Sequence, residues 1–343
     1  MVALIAALKA MLLPTFITLI IIVIALWGVL AIWYQAPIRF FIAFAWLTIA
    51  ALAIVGVFKH AYLPLWIFLA ALILLQTWWW LGVRPSSTRI WMPEVAEQTY
   101  GNVQGNLVTL HNVRNFDWRT PTDFDPRWET RTYDLTTLQS VDLILSYWGR
   151  PAIAHTMVSF GFADGQQVVF SVEIRRKLGD KFSEIGGFFK DYELSVLAST
   201  EQDSLRVRTN VRGEESYLYR IYMPEGLAAG RALFLSYLKT ANELHQQPRF
   251  YNTLTANCTT IIYQLAKKVV SGLPLDYRLL ASGYLPEYLF ELNALQGART
   301  VQDYRQAGNF TQRAQQVTDV THFSQAIRQG IPGIDPPPIA TTH

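Results

Sequence analysis

The sequence predicts an α+β membrane protein: three N-terminal transmembrane helices, then a domain in which an antiparallel sheet packs on a cysteine-bearing helix. Three observations predict it. Long uncharged apolar stretches are confined to the N-terminal part of the chain. Short stretches of β-rich residues recur between residues 106 and 222. The only cysteine among 343 residues, Cys258, opens a run with helical apolar spacing.

The apolar stretches are residues 15–35, without one charge, residues 38–58, interrupted only by Arg39, and residues 62–83. Each is close to the ~20 residues that cross a hydrocarbon core. A cleaved signal peptide has a single, shorter apolar region, so three in succession exclude it. Tyr34, Tyr62 and Trp78-Trp79-Trp80 fall where an interfacial aromatic belt lies. Residues 1–13 either lie along the membrane surface or extend the first span. The division that follows is a membrane anchor over residues 1–84, a folded domain over 85–300, and a polar tail over 301–343. That tail contains Pro336-Pro337-Pro338 and has little to bury.

Three spans put the N-terminus and the large domain on opposite sides of the membrane. Lys9 and Lys59 fall on one side and Arg39, Arg84 and Arg89 on the other. The balance is close, slightly against a translocated domain, but long domains cross largely regardless of charge. A net charge of +3 without a long basic run argues against a nucleic-acid partner. A single cysteine permits no internal disulfide, which fits either compartment.

Within the domain, residues 106–113 and 135–145 alternate as strands. The connection at 115–125 carries Asp117, Asp123 and Asp125, but it lacks the glycine and closing glutamate of a calcium loop, so it reads as a solvated loop. Residues 153–162 and 167–174 flank Asp164-Gly165 and form a hairpin. His155 lies on its first strand. On the second, Val168, Phe170, Val172 and Ile174 share one face, and Ser171 and Glu173 the other. Residues 192–198 and 217–222 supply further strand signals, and 204–209 either form one more strand or enter a turn at Val211-Arg212-Gly213. From Gly226 the spacing turns helical up to Pro248, and Pro286 marks the first turn of a later short helix.

The cysteine is the centre of the chemistry. Thr255 and Asn257 are candidate N-caps before Ile261, Ile262, Leu265 and Val269, which places Cys258 in a helix's first turn. The unpaired N–H groups there favour a thiolate and suit an oxyanion. The competing reading is that a free cysteine serves as a small buried hydrophobe. A thiolate nucleophile needs a base and a group to orient it. His155 on one strand and Glu173 on the paired strand supply both, a constellation suited to acyl transfer. Ser171 or Asn257 is the alternative third member. Tyr251 and Asn257 shape the oxyanion region, or Asn257 only caps the helix. Arg175 and Arg176 either bind a substrate phosphate or carboxylate or form a solvated edge. No zinc spacing is present, and the chemistry requires no metal or other cofactor. The chain order of His, acid and Cys is permuted relative to papain-like enzymes, whose Cys-bearing helix precedes the sheet.

Several segments, in order, carry a family resemblance. They are Arg114-Asn115-Phe116-Asp117, Arg131-Thr132-Tyr133-Asp134-Leu135, residues 154–162, Ser171-Val172-Glu173-Ile174-Arg175, residues 251–260 and Leu275-Asp276-Tyr277-Arg278. Together they resemble the Lnb N-terminal periplasmic domain family over about residues 100–295, a family similar to permuted NlpC-type papain-like proteins. The resemblance implies a membrane-tethered cysteine acyltransferase or hydrolase of the bacterial inner membrane, with its domain in the periplasm. The activity it implies is lipoprotein remodelling, in which an acyl chain moves from the glyceryl group of the lipid-modified N-terminal cysteine to its α-amine. Its partners would be the lipid bilayer and a lipoprotein or lipid substrate. The family's Cys and His carry over onto Cys258 and His155. Glu173 rests on strand geometry alone. The alternatives are a cell-wall peptidase or amidase with the same Cys–His machinery, and a non-catalytic membrane scaffold or lipid-binding module.

Overall fold

A computed structural model describes residues 2–223 and 226–334, with side chains from residue 11 onward. The prolines at 336–338 lie outside the described residues. The chain divides into two compact units: residues up to 86 together with Phe182–Tyr192, and the remainder.

The first unit holds α1 (Val2–Gln35), α2 (Arg39–Phe58) and α3 (Leu63–Thr77), the last extended by a π-helical turn over Trp78–Gly82. The segments Met11–Gln35, Arg39–Phe58 and Leu63–Gly82 are each long and apolar enough to cross a membrane, close to the ranges read from sequence. Their apolar residues point outward as well as inward; Phe41, Phe44 and Leu74 are exposed. A helix apolar on all sides suits a lipid surround. Inside, Trp46 packs so closely on α1 that a Cβ at Gly28 would sit 2.5 Å from its ring nitrogen. That nitrogen donates to the Ala25 carbonyl at 3.0 Å, which meets its hydrogen-bonding need away from water. Phe182–Tyr192, far along the chain, packs with these helices. Phe189 stacks on Tyr34, and its carbonyl accepts from Gln35 at 2.8 Å.

The second unit is built on one sheet. Its strands are β1 (Tyr100–Gln104), β2 (Leu107–Arg114), β5 (Trp128–Asp134), β6 (Leu138–Tyr147), β7 (Ala154–Phe162), β8 (Gln167–Arg175), β9 (Glu193–Ser199) and β10 (Glu215–Arg220). The order is β1-β2-β9-β8-β7-β6-β10, with β5 also pairing β2. Every pairing is antiparallel except one short parallel contact between β2 and β9. A small separate ribbon, β3 (Asp117–Trp118) and β4 (Phe124–Asp125), occupies the stretch read as a loop. There Arg119 binds both Asp123 and Asp125.

Alternation along the strands sends residues to two faces. Val158, Phe160, Val168, Phe170 and Val172 face a core shared with α5 (Ala228–Gln246), α6 (Cys258–Val269) and α7 (Leu285–Glu291). Phe234 of α5 sits edge-on to Phe160 and Phe170, and Tyr237 stacks on Phe170 at 4.9 Å. Met157 and Val169 face the opposite side, against Phe310, Phe323, Ile327 and Ile331.

Those last residues correct the expectation of a polar tail. Residues 301–334 form α8 (Val301–Gly308), α9 (Thr311–Gln316) and α10 (Phe323–Ala326), and they cover the second face of the sheet. They also close an edge: Phe310 N–H donates to the Ser216 carbonyl, and Thr311 Oγ1 accepts from the Ser216 N–H. An uncovered β10 would be a template for aggregation. The segment looks polar because its elements are short, so its few apolar residues build no long amphipathic period.

Arg328 anchors this segment. Buried, it donates to Asp142 Oδ2 at 2.9 Å and to both oxygens of Glu201, the latter from α4 (Glu201–Ser204). Removing Arg328 leaves buried Glu201 with only the Ser159 hydroxyl, and Asp142 with Arg220 as its one cation. Arg328→Met is therefore expected to destabilise the sheet domain by about 3–5 kcal/mol. Urea unfolding of the detergent-solubilised protein, followed by circular dichroism, checks this; an unchanged midpoint would show the cluster contributes nothing net.

Candidate active site

Cys258 is the first residue of α6, and the local sequence explains why the helix starts there. Asn257 Oδ1 accepts from the N–H groups of Thr259 and Thr260, while Thr260 Oγ1 accepts from the Asn257 N–H, a complete capping box. Asn257 Nδ2 donates to the Thr253 carbonyl at 2.7 Å. Asn257 therefore caps the helix through Oδ1 and ties down the preceding turn through Nδ2. The cap consumes the Thr259 and Thr260 N–H groups and leaves that of Cys258 itself uncommitted to it.

The hairpin of β7 and β8 supplies the base. Its turn contains Gly165 at φ 84°, the conformation the Asp-Gly pair favours. The ladder between these strands ends at Met157↔Ser171 although both strands continue. His155, Glu173 and the Cys258 thiol gather where the strands part. His155 Nε2 lies 2.7 Å from Ser171 Oγ and 3.1 Å from Glu173 Oε1. Ser171 Oγ in turn donates to Glu173 Oε1 at 2.6 Å. Nε2 is thereby engaged, and the imidazole and the Thr156 amide both act on the Cys258 thiol. Thr259 Oγ1 lies 3.8 Å from Sγ.

The electrostatics favour an ion pair. Burial alone would lower the imidazole; the Glu173 carboxylate and the thiol contact outweigh it and raise His155 to about 9. Burial alone would raise the thiol; the hydrogen bond and charge of His155, with the Thr156 amide, lower it. Burial would likewise raise Glu173, but His155 and Arg208 hold it well below the carboxylate range. The three shifts are mutually supporting: each favours the charged form of its own group, thiolate, imidazolium or carboxylate.

Arg208 was not visible as a site residue. It lies on a π-helical turn (Val207–Val211) in the stretch read as a strand or the entry to a turn, and it donates to Glu173 Oε1 at 3.2 Å and to Glu214 Oε2 at 3.4 Å. The turn follows α4, whose Asp203 accepts from Arg114 at 2.7 and 2.9 Å, from the Phe116 N–H and from the Trp118 indole. The Arg114–Asp117 motif thus anchors the element that presents Arg208 to Glu173.

Tyr251 packs beside Cys258, and burial together with the Cys258 and Glu173 charges raises its phenol, keeping it a protonated donor. Tyr237 is a second such group: buried on α5, it is raised by burial and by Cys258, and its hydroxyl lacks a hydrogen-bond partner among the described residues. A tyrosine inside an apolar helical run gives no sequence signal for this. Arg175 needs correction. Its guanidinium donates to the Val95 and Ala96 carbonyls and stacks 4.4 Å over Trp91, so it braces the start of the domain and is spent before any substrate arrives. Arg176 pairs with Glu94 at 3.0 Å.

The molecule is therefore a membrane protein whose α+β domain juxtaposes a helix-terminal thiol, an imidazole and a carboxylate. Residues 124–283 match the family model described as the Lnb N-terminal periplasmic domain, the family its motifs resemble. That stretch contains His155, Glu173 and Cys258. No curated protein and no solved structure gives a significant match.

Proposed function

We propose that the protein is a cysteine acyltransferase or hydrolase, held in the bacterial inner membrane by a multi-pass anchor and acting on lipid-anchored substrates through a thioester acyl-enzyme. The observation that carries this reading is the helix-terminal Cys258 thiol paired to His155, itself backed by Ser171 and Glu173. The thiolate attacks an ester carbonyl, and the oxyanion forms beside the Cys258 N–H at the positive end of α6. His155 gives its proton to the departing alkoxide, which leaves the acyl group on sulfur. It then takes a proton from water or an amine as that acceptor attacks the thioester. Glu173 keeps the imidazole in orientation and stabilises its charge. Membrane helices in the same chain raise the local concentration of lipid-anchored substrates.

A second reading, a cell-wall peptidase or amidase with the same residues, draws support from an open groove of about 830 Å3 that begins at the β6–β7 connection, just before His155. Tyr147, Trp148, Arg150, Arg212 and Tyr217 line it, a polar and aromatic surface suited to a peptide or glycan.

Incubating the detergent-solubilised protein with a diacylated lipopeptide and recording intact mass separates the readings. A fatty-acyl increment is expected on the wild type and absent from Cys258→Ala. No adduct after rapid quenching, with cleavage of a muropeptide, would transfer the assignment to the second reading. A Cys258 inert to alkylation in a folded protein would remove both and leave a binding module.

A further inference from the structure

The stretch Leu275-Asp276-Tyr277-Arg278, between α6 and α7, takes no part in the site, yet it is built with care. Asp276 caps the following turn, and Arg278 binds it with two donors at 2.8 Å while reaching Glu291 at 2.6 Å. Two phenols pin the preceding backbone: Tyr263 donates to the Leu273 carbonyl at 3.0 Å and Tyr288 to the Pro274 carbonyl at 2.9 Å. Arg278 and Leu279 are thus turned inward, with Asp276 held against Arg278, while Leu275, Tyr277 and Leu280 point outward. Leu275 is 84% exposed, Tyr277 70% and Leu280 55%. A pinned loop that presents leucine and tyrosine to solvent is an interaction element, since nothing in the fold requires those side chains there.

We infer that this loop is a membrane-docking element that seats in the headgroup–acyl boundary of a bilayer. Leucine beside tyrosine is the pairing that boundary favours. Lys267 and Lys268, exposed in the last turn of α6, place cations beside the loop where anionic headgroups would meet them. Three membrane-length helices in the same chain keep a bilayer within reach by connectivity alone. Because α6 carries Cys258 at one end and leads into this loop at the other, docking would fix the thiol's helix to the lipid surface. The inference extends the lipid reading above, but its test does not depend on turnover.

The test uses the full chain in nanodiscs, in a Cys258→Ala background so that one introduced cysteine carries the label. An environment-sensitive nitrobenzoxadiazole probe is attached at L275C, or at V103C on the outer strand β1 as the reference. The L275C probe is expected to emit to the blue of V103C and to lose about half or more of its intensity with 5-doxyl lipid, since interfacial elements seat roughly 5–10 Å into the boundary. The response should be larger with phosphatidylglycerol present and should shrink when Lys267 and Lys268 are changed to serine. A water-like, unquenched L275C probe in both lipids would overturn the inference. So would a blue shift without doxyl quenching, which would mean burial against protein. Neither result touches the acyl-trapping experiment, so the two readings fail separately.

Discussion

Cys258→Ala and His155→Ala should each lower turnover of the acyl substrate by about 10³-fold or more, and the double variant should be no worse than either alone. The reason is that the two side chains act as one unit. The thiol is lowered chiefly by the hydrogen bond and charge of His155, and His155 is raised by Glu173 and by its contact with the thiol. Once either is gone, the other has no nucleophile to activate or no base to activate it. The residual rate then comes from binding and from the helix N-terminus, which both variants keep. Initial rates with a chromogenic acyl ester, measured for the four proteins at one pH, give the cycle. Multiplicative losses in the double variant would mean the residues act independently, which this geometry does not allow.

Much of this site was legible because its parts are local. Apolar length alone marks the three spans. The start of α6 follows from Asn257 and Thr260, whose capping chemistry needs only neighbours in sequence. His155 and Glu173 could be placed together by counting outward from Asp164-Gly165, since a tight turn sets strand register. The remainder depends on contacts between residues far apart in the chain. Nothing near Arg208 announces that Asp203, held by Arg114 and Trp118, will swing its turn onto Glu173. Arg175 looks like an exposed hairpin terminus until the chain at 95–96 is seen to run beneath it. The C-terminal segment reads as polar because Arg328 counts as surface charge, whereas the fold neutralises it with Asp142 and Glu201 inside. Capping and turn signals were reliable; the fate of each arginine was decided by tertiary pairing.

Alkylation by iodoacetamide, a neutral reagent that reports thiolate, should show the ion pair directly. In the wild type the rate should fall only as pH drops through the lowered thiol value, so the profile's midpoint lies below that of an ordinary thiol. In His155→Ala the burial that opposes ionisation remains while the compensating partner is gone, so the thiol returns to its ordinary value or above. Low-pKa thiolates are weaker nucleophiles, which offsets part of the difference. The His155→Ala profile should therefore be displaced to higher pH, with a rate deficit at the same pH smaller than the thiolate fractions alone would give. Glu173→Gln should give a smaller change of the same sign, since it removes the charge that raises His155; Arg208→Met, which leaves that charge in place, should move the profile least. The stability linkage runs the other way. His155 is raised from 6.5 to about 9 in the folded protein, so its pairing contributes fully below pH 6.5 and is lost as pH rises through about 9. Glu173 is depressed, so its contribution is present above the ordinary carboxyl range and is lost only as pH falls through its lowered value. Through the His155 contribution, unfolding midpoints of the wild type should accordingly drop more steeply between about pH 6.5 and 9 than those of His155→Ala. Equal slopes in the two proteins, together with superimposable alkylation profiles, would mean that thiol and imidazole are neighbours without being a pair.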